Sequence, residues 1–349
     1  MGAAVCVLLL GQGCSGGTSS TAKGPDGGIW KTTTRGTSWS QKRVLIKGPK
    51  AVSLGNDVMT TMVFDPEDSK TVYAGTTERG LVYSLDSGDS WQEGGGPTSQ
   101  IESIAVDPKN KCVIYLTTTN KIFKTENCMR DWKMMYFDPK TDKVFTRIAV
   151  DWYNPTIVYA GTSEGDMFKS TDAGLSWLVS KRVGSSITAF LFDGKDSRIV
   201  YVGTKGNGIW KTMDGGGTWI QIWDALSKFT NAGQVITLVA DAQSENLIYL
   251  VSGYGILSSA DGGTSWTPLT LTSKPGAAQI KDFTINPRNG KELTYVTANA
   301  LLTSTDGGQA WTSQKLPSAR IAKFIKADPN VDNTFYLGMG AAPQSQQGF

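Results

Sequence analysis

The chain has no histidine among its 349 residues, only four cysteines, and almost no net charge, with 34 Lys+Arg against 31 Asp+Glu. Each scarcity removes a class of function. Without imidazole there is no Ser-His-Asp triad, no Cys-His dyad and no histidine metal site, so proton transfer would fall to Asp, Glu, Tyr or Lys. No metal and no cofactor are therefore expected. A charge of +3 is too small for a protein that neutralises many phosphates, so no nucleic-acid partner is expected either. At 39% hydrophobic and 19% charged residues the composition is that of a globular chain. Its length alone suggests two domains, a prior that fails when the chain is built of repeats.

Met1 to Gly13 carries no charged side chain and includes an apolar run from Ala3 to Leu10. That run is too short to cross a bilayer and reads as the hydrophobic part of a signal peptide, residues 1–13. The small residues before Cys14 resemble a bacterial lipobox, which implies a lipidated Cys14 at the mature N-terminus and a Gly/Ser/Thr-rich tether over residues 14–27. The pattern departs from the lipobox in two ways. No Lys or Arg precedes the apolar run, and the aliphatic residue, Leu10, sits one place early. A cleaved secretory signal in which Cys14 is incidental is the alternative. Since no acidic residue directly follows Cys14, analogy with proteobacterial lipoproteins places the anchor in the outer membrane, on its periplasmic or cell-surface side.

The body of the chain is repetitive. A box of the form Ser/Thr-x-Asp-x-Gly-x-x-Trp recurs with Asp86 and Trp91, Asp172 and Trp177, Asp214 and Trp219, Asp261 and Trp266, and Asp306 and Trp311. Two degenerate copies end at Trp39, with Thr34 for the aspartate, and at Trp132, with Asn127 for the aspartate and Met129 for the glycine. The tryptophans are spaced by about 45 residues, the length of a four-stranded propeller blade. A second motif runs in step: an apolar strand, an Asp-Pro-type turn, and a strand of the form Tyr-x-Gly-Thr, as in Met62 to Pro66 followed by Tyr73 to Thr76. Each unit therefore orders its strands A, B, C and D, with the box between C and D. The chain opens on a lone C/D half and finishes on a lone A/B half, Phe324 to Gly338. This phase predicts an all-β, seven-bladed propeller over residues 28–340, closed by pairing N-terminal C/D strands with C-terminal A/B strands, followed by a tail, 341–349.

The box resembles the Asp-box, or BNR, repeat of sialidases, the sortilin ectodomain, two-propeller xyloglucanases and photosystem II assembly-factor propellers. That resemblance implies structural roles: the Asp carboxylate and Ser/Thr hydroxyl hold the turn, the glycine turns left-handed, and the tryptophan packs between blades. Outside the repeat stand Trp152, in an A/B turn, and Trp223, in the D-to-A connection Gln221 to Gln234, read as the longest of its kind. Trp223 is either a stacking platform for a sugar or partner, or packing over the blade rim. Cys112 and Cys128 fall at the same end of one blade, in the B strand and the C/D turn, and a disulfide there is geometrically reasonable in an exported protein. The same blade has the most degenerate box, and the bridge is expected to stand in for its lost hydrogen bonds.

For activity the resemblance is selective. Sialidases carry an Arg-Ile-Pro motif, whereas Arg147-Ile148 and Arg320-Ile321 both continue with alanine. The xyloglucanases set two acids between two propellers, and this chain supplies one ring; no catalytic residue is nominated. The assembly-factor group matches best in size, and it uses arginines on one face to contact its partner. Arg79, Arg147, Arg182 and Arg320, with Trp223, are the binding-face candidates, and Arg147, Arg182 and Arg320 are expected to converge at the ring's mouth. The function expected is a non-enzymatic, lipid-anchored scaffold that binds protein partners, as an assembly or stability factor for a membrane or cell-envelope complex, the alternative being a glycan-binding or glycoside-hydrolase-like propeller using Trp223 and loop acids.

Overall fold

The computed structural model describes residues 26–48 and 50–342. The expected signal, Cys14, most of the tether and most of the tail lie outside the described residues. Every regular element described is a strand. Twenty-eight of the strands form seven four-stranded antiparallel sheets. Blade 1 comprises Met59–Phe64, Val72–Thr76, Leu81–Ser84 and Gln92–Glu93. Blades 2 to 6 follow over 103–137, 145–182, 187–222, 235–268 and 282–315, each in simple up-and-down order. Blade 7 joins Ala322–Ala327 and Phe335–Met339 to Ile29–Thr32 and Ser40–Lys42, with Ile29 opposite Gly338 and Thr32 opposite Phe335. The ring is thus closed as its sequence phase predicts, which removes the open sheet edges of an unclosed array.

Burial follows strand position. The B strands, rich in Val, Ile and Tyr, are buried along their whole length in blades 1, 3, 4, 5 and 7, because both faces are covered by neighbouring blades. The D strands lie outermost and keep exposed residues such as Leu178 and Ile220. Apolar clusters are shared between adjacent blades: Trp91 of blade 1 is fully buried in a cluster with Phe324 and Tyr336 of blade 7, and Trp266 of blade 5 packs with Ala189 and Tyr201 of blade 4.

Two polar devices lock blade to blade. In the first, the B-strand tyrosine and C-strand lysine of one blade donate to a single carbonyl in the next blade's box. Tyr115 Oη and Lys124 Nζ reach Ala173 O at 2.9 and 3.0 Å, Tyr159 and Lys169 reach Gly215 O, and Tyr201 and Lys211 reach Gly262 O. That carbonyl is free because two successive left-handed residues, Ala173 (φ 57°) and Gly174 (φ 88°) in blade 3, turn it outward. In the second device, a β-bulge near the start of strand A turns a threonine toward the next blade, so that Thr146 Oγ1 donates to Ile187 O at 2.7 Å. The Tyr-x-Gly-Thr glycine permits this approach: a Cβ on Gly161 would lie 2.5 Å from Ile187 Cγ2. Blades 2, 5 and 6 lack that glycine, having Thr117, Val251 and Thr297 there; the A strands of blades 2 and 6 pair without that bulge, whereas blade 5 keeps it between Val235 and Thr237.

One element is not foreseen by the repeat. The connection from Lys42 to Met59 is longer than the one carrying Trp223, correcting the expectation above, and folds into a hairpin, Val44–Lys47 with Lys50–Ser53. Trp91 N donates to Val44 O and Ile46 N to Trp91 O, both at 2.8 Å, so the hairpin runs parallel beside the two-residue outer strand of blade 1. A strand that short leaves open hydrogen-bonding positions, and the hairpin fills them.

Candidate functional site: the central channel and its rim

The seven A strands line a central cavity of about 630 Å³. Counting back five residues from the turn residue at the end of each A strand gives Thr60, Glu102, Thr146, Thr188, Ile236, Lys281 and Lys323, one level of the ring near the face built by the B/C and D/A loops. One residue further along stand Thr61, Ser103, Arg147, Ala189, Thr237, Asp282 and Phe324. The unbulged blades 2 and 6 place Glu102 and Lys281 on this rim, and blade 7 adds Lys323 at its bulge.

The charges are unevenly matched. Asp282, buried in the wall, accepts from Ile325 N and Lys326 Nζ, each at 3.0 Å. Glu102 accepts from Gln100 Nε2 at 2.7 Å, and burial raises its pKa, with Lys323 and Arg147 opposing the shift. Arg147 is enclosed by protein but reached by water along the channel. Burial lowers its pKa, offset in part by the fields of Asp282 and Glu102. Its guanidinium makes one hydrogen bond among the described residues, from Nη1 to Thr146 O at 2.7 Å. Neither Arg147, Lys281 nor Lys323 is within 4.0 Å of a carboxylate in the described residues.

The other candidate residues are engaged differently. Arg79 pairs with Asp57. Arg320, largely buried, donates to Asp26 Oδ1 at 2.8 Å and to Asn56 O at 3.0 Å, tying the start of the described chain to blade 7. Arg182 is exposed and pairs with Asp166 at 3.2 Å; Asp166 also receives Lys143, a buried lysine between Asp166 (2.9 Å) and Asp138 (3.0 Å). The expected convergence of arginines does not occur. Arg147 and Arg182 lie on the first and fourth strands of one blade, which sets their backbones about 14 Å apart at ordinary strand spacing, and Arg320 is turned to Asp26. Trp223 is 43% exposed, with its ring over the backbone of Gly208 and Gly233. Trp152 donates to Asp193 O at 2.9 Å.

The box carboxylates are held by their own turns. Asp172 accepts from Ser170 Oγ, Ser176 N and Ser176 Oγ at 2.8, 2.9 and 2.6 Å, and Asp86, Asp214 and Asp261 repeat the pattern. Asp306 keeps the backbone bonds but faces Ala310, which has no hydroxyl. Hydrogen bonds from the serines lower the pKa of Asp172 and Asp261 to about 2. The degenerate box of blade 2 keeps the same bonds without aspartate: Asp131 N donates to Asn127 Oδ1 at 3.0 Å, and Met129 takes the glycine position at φ 66°. Cys112 and Cys128 lie side by side, with Cys128 N donating to Cys112 O at 3.2 Å and the sulfurs linked. The link is therefore added to a complete turn, correcting the expectation that it replaces missing hydrogen bonds.

A second cavity, about 560 Å³, lies between the A/B turns of blades 4 and 5. Asp193 there accepts from Lys195 N and Asp196 N, Asp241 from Gln243 N, and the exposed Glu245 pairs with Lys195 Nζ at 2.6 Å. Sequence reasoning nominated Arg147 but missed Glu102, Lys281 and Lys323. The signal that finds them is their shared offset from the A/B turn across all repeats.

Fold and site together define a seven-bladed β-propeller with a charged central channel. No family model matches the chain, and no curated protein matches it. Among solved structures it is similar to the GH74 enzyme of Niastella koreensis (TM-score 0.64, 18% identity, 81% of this chain and 51% of that one). It is also similar to YCF48 bound to D1 peptide (0.61, 15%, 82% and 94%) and to YCF48 from Cyanidioschyzon merolae (0.62, 13%, 81% and 95%). The chain spans about half the length of the GH74 enzyme and nearly the whole of each YCF48 structure. At these identities the likeness is one of fold.

Proposed function

We propose that this propeller is a non-enzymatic scaffold that binds a protein partner of the cell envelope through the face built by its B/C and D/A loops, held at the outer membrane by a lipid on Cys14. The observation that carries this reading is the state of the acids. The five box aspartates, and Asp193 and Asp241 in the second cavity, accept from backbone N–H or hydroxyl groups, and Glu245 in that cavity is paired with Lys195. Glycoside hydrolysis needs two carboxyls free to face a sugar at a separation of roughly 5 to 9.5 Å, whereas a rigid ring with variable loops suits binding. The single-ring YCF48 likeness supports the same reading, one of those structures being a complex with a peptide. The glycan reading keeps one observation, the 43% exposed Trp223 ring, which is suited to stacking on a sugar.

Affinity purification from detergent-solubilised membranes tests the two readings side by side. Wild type is expected to retain a defined membrane complex that Trp223→Ala or Arg182→Ala weakens, and to leave xyloglucan intact. Hydrolysis of a glycan, or sugar binding on an array lost in Trp223→Ala, would overturn the scaffold reading. Incorporation of a fatty-acid label that disappears in Cys14→Ser checks the anchor.

A further inference from the structure

We propose that the rim of the central channel is a binding site for a carboxylate, with the Arg147 guanidinium as its main partner and Lys281 and Lys323 as flanking cations. Three observations carry this, independently of any cellular partner. Arg147 projects from the innermost strand of blade 3 into the channel and uses one donor on Thr146 O, leaving most of its five N–H groups unpaired among the described residues. The acid facing it across the ring, Asp282, has its Oδ2 already occupied by Ile325 N and Lys326 Nζ. Lys281 and Lys323 stand on the same rim without an ion pair among the described residues.

A cation partly withdrawn from bulk water with no ion pair among the described residues is costly to keep. A carboxylate answers both its charge and its shape, because two oxygens meet the planar N–H fork in parallel while the lysines act as point charges. Glu102 limits the class. It stands at the same level and repels added negative charge, which favours a carboxylic acid over a polyphosphate. Such a group comes from a free organic acid or from the terminal carboxylate of a peptide.

Titration calorimetry on the full chain at low ionic strength, where screening is weakest, separates these sources. The probes are lactate, succinate, the tetrapeptide Ala-Gly-Leu-Ala with a free C-terminus, and its C-terminal amide. Saturable binding is expected for a free acid or for the free-ended peptide, with the amide silent. Binding by lactate or succinate identifies a small acid as the source; binding by the peptide alone identifies a chain end. Arg147→Met is expected to weaken binding roughly ten- to hundredfold, Arg147→Lys, which keeps the charge but loses the fork, by about tenfold, and the exposed Lys323→Gln severalfold. Absence of binding by every probe, equal binding of the amide, or unchanged affinity in Arg147→Lys and Lys323→Gln overturns the site, even if Arg147→Met does not fold.

Discussion

Lys31 and Tyr336, from opposite ends of the chain, donate to the same acceptor: Lys31 Nζ and Tyr336 Oη lie 2.8 and 2.9 Å from Ser87 O, and the ammonium sits 5.0 Å from the centre of the tyrosine ring. Lys31 belongs to the third strand of blade 7, Tyr336 to the second, and Ser87 to the box of blade 1. The device that joins interior blades is thus repeated between the closing blade and blade 1, with one donor from each end of the chain. Tyr336→Phe should destabilise the protein by about 1 kcal/mol, and Lys31→Met by a similar amount, since each removes a hydrogen bond without opening a large cavity. Urea unfolding monitored by tryptophan fluorescence measures both. The double variant should cost more than the sum, because either donor alone satisfies the shared carbonyl and only the double variant leaves it without a partner.

The clamp tyrosines also set the alkaline limit. Burial raises the pKa of Tyr115, Tyr159 and Tyr336, and pushes Tyr201 up to about 12. Their unfolded phenols ionise near pH 10. The folded state holds its protons longer, so the contribution is complete below pH 10 and is lost as pH rises from there through the folded values. Thermal melts from pH 9 to 12 should show a falling midpoint that begins near pH 10, and Tyr201→Phe should shallow the slope. A slope unchanged in that variant would show that this ring does not take part.

At the acid end the boxes act. Asp172 and Asp261 are held near 2 by serine hydrogen bonds, below the ordinary carboxylate value of about 4. Their contribution is present above pH 4 and disappears as pH falls through about 2. Asp172→Asn should retain the turn, as Asn127 does in blade 2, while removing that site's share of the acid dependence. Asp172→Ala should lower the melting temperature at neutral pH. Melting curves of the three proteins at pH 2.5, 4 and 7 separate the two effects.

Glycines with different surroundings should respond oppositely to one methyl group. Gly161→Ala brings Cβ to 2.5 Å from Ile187 of the next blade and is expected to cost about 1–3 kcal/mol through overpacking. Gly194→Ala meets nothing within 4 Å and has no left-handed φ, so it should be neutral or stabilising by up to about 1 kcal/mol. Chemical denaturation of each variant decides the comparison.

Cys112 and Cys128 are predicted to be oxidised in the purified protein. Intact mass under non-reducing conditions should show no alkylatable thiol from this pair, and Cys128→Ser should destabilise the fold by about 2–4 kcal/mol, the usual range for a bridge closing a loop of this size, 16 residues apart. Two free thiols in the purified protein would refute the pairing.

Blade number, strand order and ring closure are legible in the residues because each repeat carries its own turn chemistry and the phase of the two half-units leaves one way to complete a blade. Val44, Leu45 and Ile46 already alternate in exposure as a strand does, but nothing in the repeat says that this strand runs beside Trp91. The contrast among the arginines is sharper. Arg147 and Arg320 each precede Ile and Ala and sit near the start of an A strand. One faces the channel with no ion pair among the described residues, while the other is bound to Asp26 and Asn56. Local sequence determined that this chain builds seven like blades, since strand and turn preferences act over a few residues. Only the closed ring decided which charges remain unmatched, since ion pairing depends on side chains brought together from blades far apart in the chain.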